Sequence, residues 1–279
     1  MTTKPTSPKK TGAKNPQNLP NLENEPFSRA ILATCSDGLS YLVDPMDNVI
    51  GKELRLKGEN SAEQVSLLAE FLEPEDDVLV VGAHIGTLAI PLSKICKTVH
   101  AIEANPNTYS LLAKNILLNG CTNCHAHQFA AQDQPGEIEF LANRQNSGGS
   151  KRKPLVAMDM YYYDDPEKVK VVARRLDDEF PAHTFGMIVM DIEGSEYFAL
   201  KGMPNLLDRA KCIMIEFLPH HLQYVGGVSI AQFYEPLASF DSMLVPSSKI
   251  LVNKAQILET LTYMFENQIS DEGLIFMKE

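Results

Sequence analysis

From residue 77 onward, short continuous apolar runs alternate with stretches of helical periodicity. DVLVVGA (77–83), TVHAIEA (98–104), FGMIVM (185–190) and CIMIEF (212–217) are each long enough for one strand. GTLAIPLSKIC (86–96), NTYSLLAKNILLNG (107–120) and EYFALKGMPNLLDRA (196–210) read as helices, with Gly120 as a C-cap. CHAHQFAA (124–131) reads as another strand and GEIEFLA (136–142) as a strand or hairpin arm. Helices are expected near IAQFYEPLASF (230–240) and KAQILETLTYMFENQ (254–268), and a final strand at GLIFMKE (273–279). Continuous apolar strands alternating with helices predict an α/β protein with a parallel sheet covered on both faces.

Two regions depart from this rhythm. AILATC (30–35) and SYLVDP (40–45), separated by SDG, predict a small β-hairpin, and DPMDNVIGKEL (44–54) continues with turn signals. SAEQVSLLAEFL (61–72) predicts a helix with Ser61 as N-cap, Val65, Leu68, Ala69 and Leu72 on one face, and Pro74 beyond its end. Residues 146–183 form the second departure. NSGGSKRKP (146–154) reads as a flexible basic loop, and the polar, aromatic stretch after it contains Tyr161, Tyr162 and Tyr163. The expected organisation is a disordered leader over 1–26 and a hairpin-and-helix embellishment over 27–73. One α/β domain follows over 74–279, with an insertion at 146–183 that covers part of the acceptor pocket.

At 279 residues and 44% hydrophobic composition, the chain is sized for one substantial core. Its net charge is −11, yet Lys4, Lys9, Lys10 and Lys14 stand in a leader segment, 1–22, that holds no acid. The body is therefore more acidic still, which does not suit extended contact with nucleic-acid phosphates. No apolar run reaches the length of a membrane span, and the leader has no apolar signal core, so a cytoplasmic location is expected. Five scattered cysteines suggest free thiols. CTNCH (121–125) matches a haem-attachment pattern, and Cys121, Cys124, His125 and His127 offer zinc-type ligands. Strand alternation sets the histidines on one face, and neither haem nor zinc is expected.

The stretch VLVVGAHIGTLAI (78–90) carries strand, glycine turn and helix start in succession. A dinucleotide site needs a glycine where His84 stands, so that the pyrophosphate can approach the backbone. A nucleoside with a small charged tail has no such need. Gly82 and Gly86 still allow a tight turn, and Glu103 ends the second strand about twenty residues on, where an acid accepts hydrogen bonds from ribose hydroxyls. This pattern suits S-adenosylmethionine and disfavours an NAD-dependent enzyme. Ala104 and Asn105, beside Glu103, and Ala131 and Gln132, past the third strand, are counted with His84 among the cofactor-binding candidates.

GMIVMDIEGSE (186–196) places Asp191 and Glu193 just past an apolar strand, and IEF followed by LPHHL adds Glu216, His220 and His221 at the next strand end. In an open α/β sheet that edge faces the ligand crevice. Asp191, Glu193 and His220 are the candidate catalytic groups, with Asp191 also a candidate cofactor contact. Asp191, Glu193 and Glu216 would suit Mg²⁺ or Ca²⁺, but their spacing does not decide the matter and no metal is assigned.

VVGAHIGTLAI, AIEANPNTYSLLAKNILLNG, GEIEFLANRQNSGGS, RRLDDEF, MDIEGSEYFALKGM and IEF stand in the order and spacing of FkbM-type methyltransferases, which the chain resembles over roughly 59–217. The resemblance implies a class I (Rossmann-like) methyltransferase fold: a seven-stranded, mostly parallel sheet with helices on both faces and an antiparallel last strand. It implies S-adenosylmethionine as cofactor and O-methylation of a sugar or natural-product hydroxyl. The family commonly has Asp at position 80, Asn at 84, Pro at 104 and Lys at 189. Here those positions hold Val80, His84, Ala104 and Val189. The alternative is a non-catalytic nucleoside-binding or partner-docking protein on the same fold.

Overall fold

The computed structural model describes residues 30–59 and 61–278; the expected disordered leader lies outside the described residues. A hairpin, β1 (Ile31–Thr34) and β2 (Ser40–Val43), leads into helices α1 (Ile50–Lys57) and α2 (Ala62–Ala69). Next come β3 (Asp77–Val81), α3 (Ala89–Leu92), β4 (Thr98–Glu103), α4 (Pro106–Leu118), β5 (Cys124–Gln128), β6 (Ala130–Ala131), β7 (Gly136–Ala142), β8 (Lys151–Arg152) and β9 (Glu167–Arg174). The remainder is α5 (Leu176–Glu179), β10 (Met187–Met190), α6 (Glu196–Lys201), α7 (Pro204–Arg209), β11 (Cys212–Phe217), α8 (Ile230–Tyr234), β12 (Ser242–Val245), β13 (Ile250–Asn253), α9 (Lys254–Glu266) and β14 (Asp271–Met277).

The main sheet runs β13-β12-β14-β11-β10-β3-β4-β5. From β11 to β5 every pairing is parallel. β14 is antiparallel to both β11 and β12, so β12 runs with the parallel set. Those seven strands are the class I arrangement. β13 folds back on β12 as an eighth, edge strand. Both faces are covered, as the unbroken apolar runs require. Val78 and Val80 join Leu68, Ile90 and Leu112 in one core cluster. Leu79 and Val81 join Phe185, Leu200 and Phe217 in the other. No helix among the described residues is long and apolar enough to cross a membrane.

Several local expectations change. The turn-rich segment after β2 closes into helix α1, which buries Leu54 and ends on Gly58 in the left-handed conformation. Ser61 precedes α2 in a left-handed conformation, and its hydroxyl makes no capping bond. GTLAIPLSKIC yields only the four residues of α3; Pro91 stands in its first turn, where a missing N–H is tolerated, and past Ser93 the Lys94 and Ile95 N–H groups tighten onto the Pro91 and Leu92 carbonyls. CHAHQFAA breaks at Phe129, which is buried, and β6 leaves the main sheet. It joins a second sheet, β6-β9-β7-β8, in which GEIEFLA pairs with β9. The NSGGSKRKP loop is built in rather than loose: Ser147–Gly149 forms a 3-10 turn, and β8 pairs with β7.

Candidate active site

The carboxyl ends of β3, β4, β10 and β11 surround a cavity of about 660 Å³. Its size suits a nucleoside cofactor with a small second molecule. Gly82, His84, Glu103, Ala104, Ala131, Gln132, Asp191 and Glu193 all line it; Gly86, Asn105 and His220 do not.

Gly82 ends β3 with φ of 88°. A Cβ there would lie 1.7 Å from the Asp191 carbonyl oxygen. The Asp191 N–H in turn donates to the Val81 carbonyl at 3.0 Å, locking the ends of β3 and β10 together. Gly86 serves packing: a Cβ there would press on Ile90 and Leu112. Asn105 is buried and caps α4 by accepting from the Asn107 N–H at 3.0 Å.

Glu103 organises the cavity wall at the end of β4. Its carboxylate accepts the His84 N–H at 2.8 Å and the Asn105 N–H at 2.7 Å. Burial raises its pKa, and these N–H bonds oppose the rise. A carboxylate has further lone pairs free to take ribose hydroxyls.

His84 does not obstruct the cavity as a flat fingerprint comparison suggests. Its backbone is left-handed, φ 51°, and its Nε2 lies 2.7 Å from Ser147 Oγ. The Ser147 hydroxyl donates to Asp47 Oδ2, so it accepts from a neutral Nε2–H imidazole. Burial pushes the His84 pKa down to about 4, consistent with that neutral form. Asp47 and Ser147 come from the two regions that break the strand–helix rhythm, and sequence reasoning missed both.

The acidic floor gathers at the carboxyl ends of β10 and β11. Asp191 is exposed, and it lines the cavity. Enclosure by protein, then the charges of Glu193 and Glu196, push its pKa up to about 7. It shares a side-chain hydrogen bond with Glu216, whose pKa is raised well above the usual carboxylate range by burial and by Asp191. Burial also raises Glu196, to about 7; this side chain accepts the Ile192 and Gly194 N–H groups at 3.1 and 3.2 Å and so shapes the turn. Lys151 is buried with its Nζ 3.0 Å from Glu193 Oε2. The basic cluster KRK advertised its charge in the sequence, but not which lysine folds inward.

Of the two adjacent histidines, His221 stands beside Glu193, its Nδ1 3.1 Å from Oε2. His220 instead faces Tyr161, whose hydroxyl donates to the His220 carbonyl at 3.1 Å. A π-helical turn, His221–Gly226, sets this division. The insertion touches the cavity through Asn146–Ser150, not through Tyr161, Tyr162 or Tyr163. Val80 and Val189 are buried core residues, away from the cavity wall. In CTNCH, Cys121 and Cys124 point their thiols at the carbonyls of Asn119 and Ala89, while His125 and His127 pack their rings near His100.

Three solved structures show distant likeness. One is a Pyrococcus horikoshii protein assigned as a transferase: 14% identity, TM-score 0.46, covering 90% of this chain and 73% of that chain. Another is P. horikoshii TYW2 in complex with MeSAdo: 14% identity, TM-score 0.44, with the same coverage of 90% and 73%. The third is an rRNA methylase from Streptococcus thermophilus: 13% identity, TM-score 0.41, covering 77% and 92%. At these scores the likenesses carry no information about the reaction. No curated protein matches the chain. The FkbM methyltransferase domain matches residues 81–264, from the glycine turn to the last helix. That span takes in the cavity floor and more than half of the sequence, and the chain belongs to the FkbM methyltransferase family.

Proposed function

We propose that this protein methylates a hydroxyl of a small acceptor, a sugar or natural product, with S-adenosylmethionine as donor. The observation that carries this reading is the pairing of a nucleoside cradle with an acidic floor in one cavity. Gly82 lets the ends of β3 and β10 close together under the cavity, Ala104 lines it at the end of β4, and Glu103 takes the ribose hydroxyls. When bound, the cofactor supplies a methyl group activated by its sulfonium. Asp191 orients the acceptor hydroxyl and takes its proton as the oxygen–carbon bond forms, and Glu193 borders the same volume. A purely nucleoside-binding role would have no use for the floor carboxylates, which is what favours catalysis over that alternative.

Charge narrows the acceptor. Seven glutamates and Asp191 line the cavity, and its described lining holds no lysine or arginine. Even with Glu193 paired to Lys151 and Glu53 to Lys57, such a wall disfavours phosphorylated acceptors and nucleic acid relative to neutral or cationic ones. The test is methyl release from a panel of neutral sugars, amino sugars and sugar phosphates. Turnover with a neutral or amine-bearing acceptor supports the reading. Turnover confined to phosphorylated acceptors or RNA overturns it, and binding of S-adenosylhomocysteine without turnover of any acceptor favours the non-catalytic alternative.

A further inference from the structure

We propose that Glu193, Glu216 and His221 form a site for a divalent transition-metal cation. One donor atom from each lies within 4.8 Å of the other two. Glu193 follows β10, Glu216 is on β11, and His221 opens the π-helical turn beyond β11. Neighbouring strand ends thus bring the three together.

The imidazole is the second, independent sign of a ligand. His221 is 5% exposed, and its Nδ1 has no hydrogen-bond partner. That nitrogen stands 3.1 Å from Glu193 Oε2 without the alignment a hydrogen bond requires. A buried nitrogen facing a carboxylate oxygen, with no proton well held between them, is an unfavourable arrangement. A cation between the two removes the conflict. Lys151 supplies one positive charge to Glu193.

The donor set selects the kind of ion. Mg²⁺ and Ca²⁺ favour oxygen ligands throughout. Two carboxylates and an imidazole suit Mn²⁺, Fe²⁺ or Zn²⁺ better. The sequence suggested Asp191, Glu193 and Glu216 as a hard-cation set; folding substitutes His221 for Asp191 and shifts the preference. Glu193 and Glu216 also line the cavity, so an ion held here is within reach of an acceptor oxygen and lowers the cost of removing its proton.

The experiment needs neither cofactor nor acceptor, so its result is independent of the methyl-transfer reading. The full chain is stripped with chelator and titrated with MnCl₂ or ZnCl₂, using calorimetry for both and electron paramagnetic resonance for Mn²⁺. One ion should bind per chain. His221→Ala and Glu216→Gln should each weaken binding by about 10-fold or more, while His220→Ala binds as the parent does. Melting curves establish that each variant is folded, and either ligand variant alone suffices for the comparison. Absence of stoichiometric binding of both ions to the parent overturns the site. So does equal binding by the parent and either folded ligand variant.

Discussion

The Asp191 carbonyl oxygen passes 1.7 Å from the point where a Cβ on Gly82 would stand. Two strand ends, distant in sequence, are thereby fitted against each other with no room for a methyl group. Gly82→Ala should therefore lose roughly 2–5 kcal/mol of stability, combining a positive-φ penalty with overpacking. Urea melts measure this, and a loss below about 0.5 kcal/mol, the range of an ordinary surface substitution, contradicts the close approach.

Glu103 gives a test of the nucleoside side. Glu103→Ala should weaken S-adenosylhomocysteine binding by about 1.5–3 kcal/mol, the range for hydrogen bonds to a charged group. Part of that loss comes through the released His84 and Asn105 N–H groups. Unchanged affinity by calorimetry removes the ribose assignment.

Asp191→Ala should lower turnover by about 10²-fold or more and change cofactor affinity little, because a proton-accepting group acts mainly in the transition state. Glu193→Ala and His220→Ala should lose less; for His220 the reason is that its ring is turned to Tyr161 rather than the cavity. If cofactor affinity falls in step with turnover in Asp191→Ala, the residue is an anchor for the cofactor. Full activity excludes both roles.

A histidine group on β4 and β5 should make the fold acid-sensitive. Burial, then repulsion from His127, His125 and His183, pushes His100 down to about 4, with Asp77 opposing; burial also lowers His127. A histidine with a depressed folded-state pKa stays neutral in the native protein while its unfolded counterpart, near pH 6.5, takes up a proton. Stability from this source is complete above about pH 6.5 and is lost progressively as pH falls toward 4. His100→Gln should flatten the decline in melting temperature over that window. An identical decline in parent and variant assigns it elsewhere.

The parallel sheet, its glycine turn and the acidic strand ends were legible because each is local: a strand, a turn and a charge within a few residues. β9 was legible in principle, since Val169, Val171 and Ala173 alternate with Lys168, Lys170 and Arg174; its polar partners concealed a strand with one buried face. Contacts between distant stretches were not legible. Nothing near Ser147 in sequence indicates that it will join Asp47 to His84. Choosing between His220 and His221 required the wide turn, which no periodicity announces.

That turn sets a constraint on chain length. A π-helical turn carries one more residue in each hydrogen-bonded ring than an α-helical turn. Val225, within it, would lie 2.7 Å from a Cβ on Gly194, so its register matches the DIEG turn as closely as any core contact. Deleting one residue between Leu222 and Val225 would tighten the turn to α-helical spacing and move Val225 or its replacement off Gly194. Although this segment connects a strand to a helix, where insertions and deletions ordinarily collect, its residue count should be as intolerant of change as its chemistry.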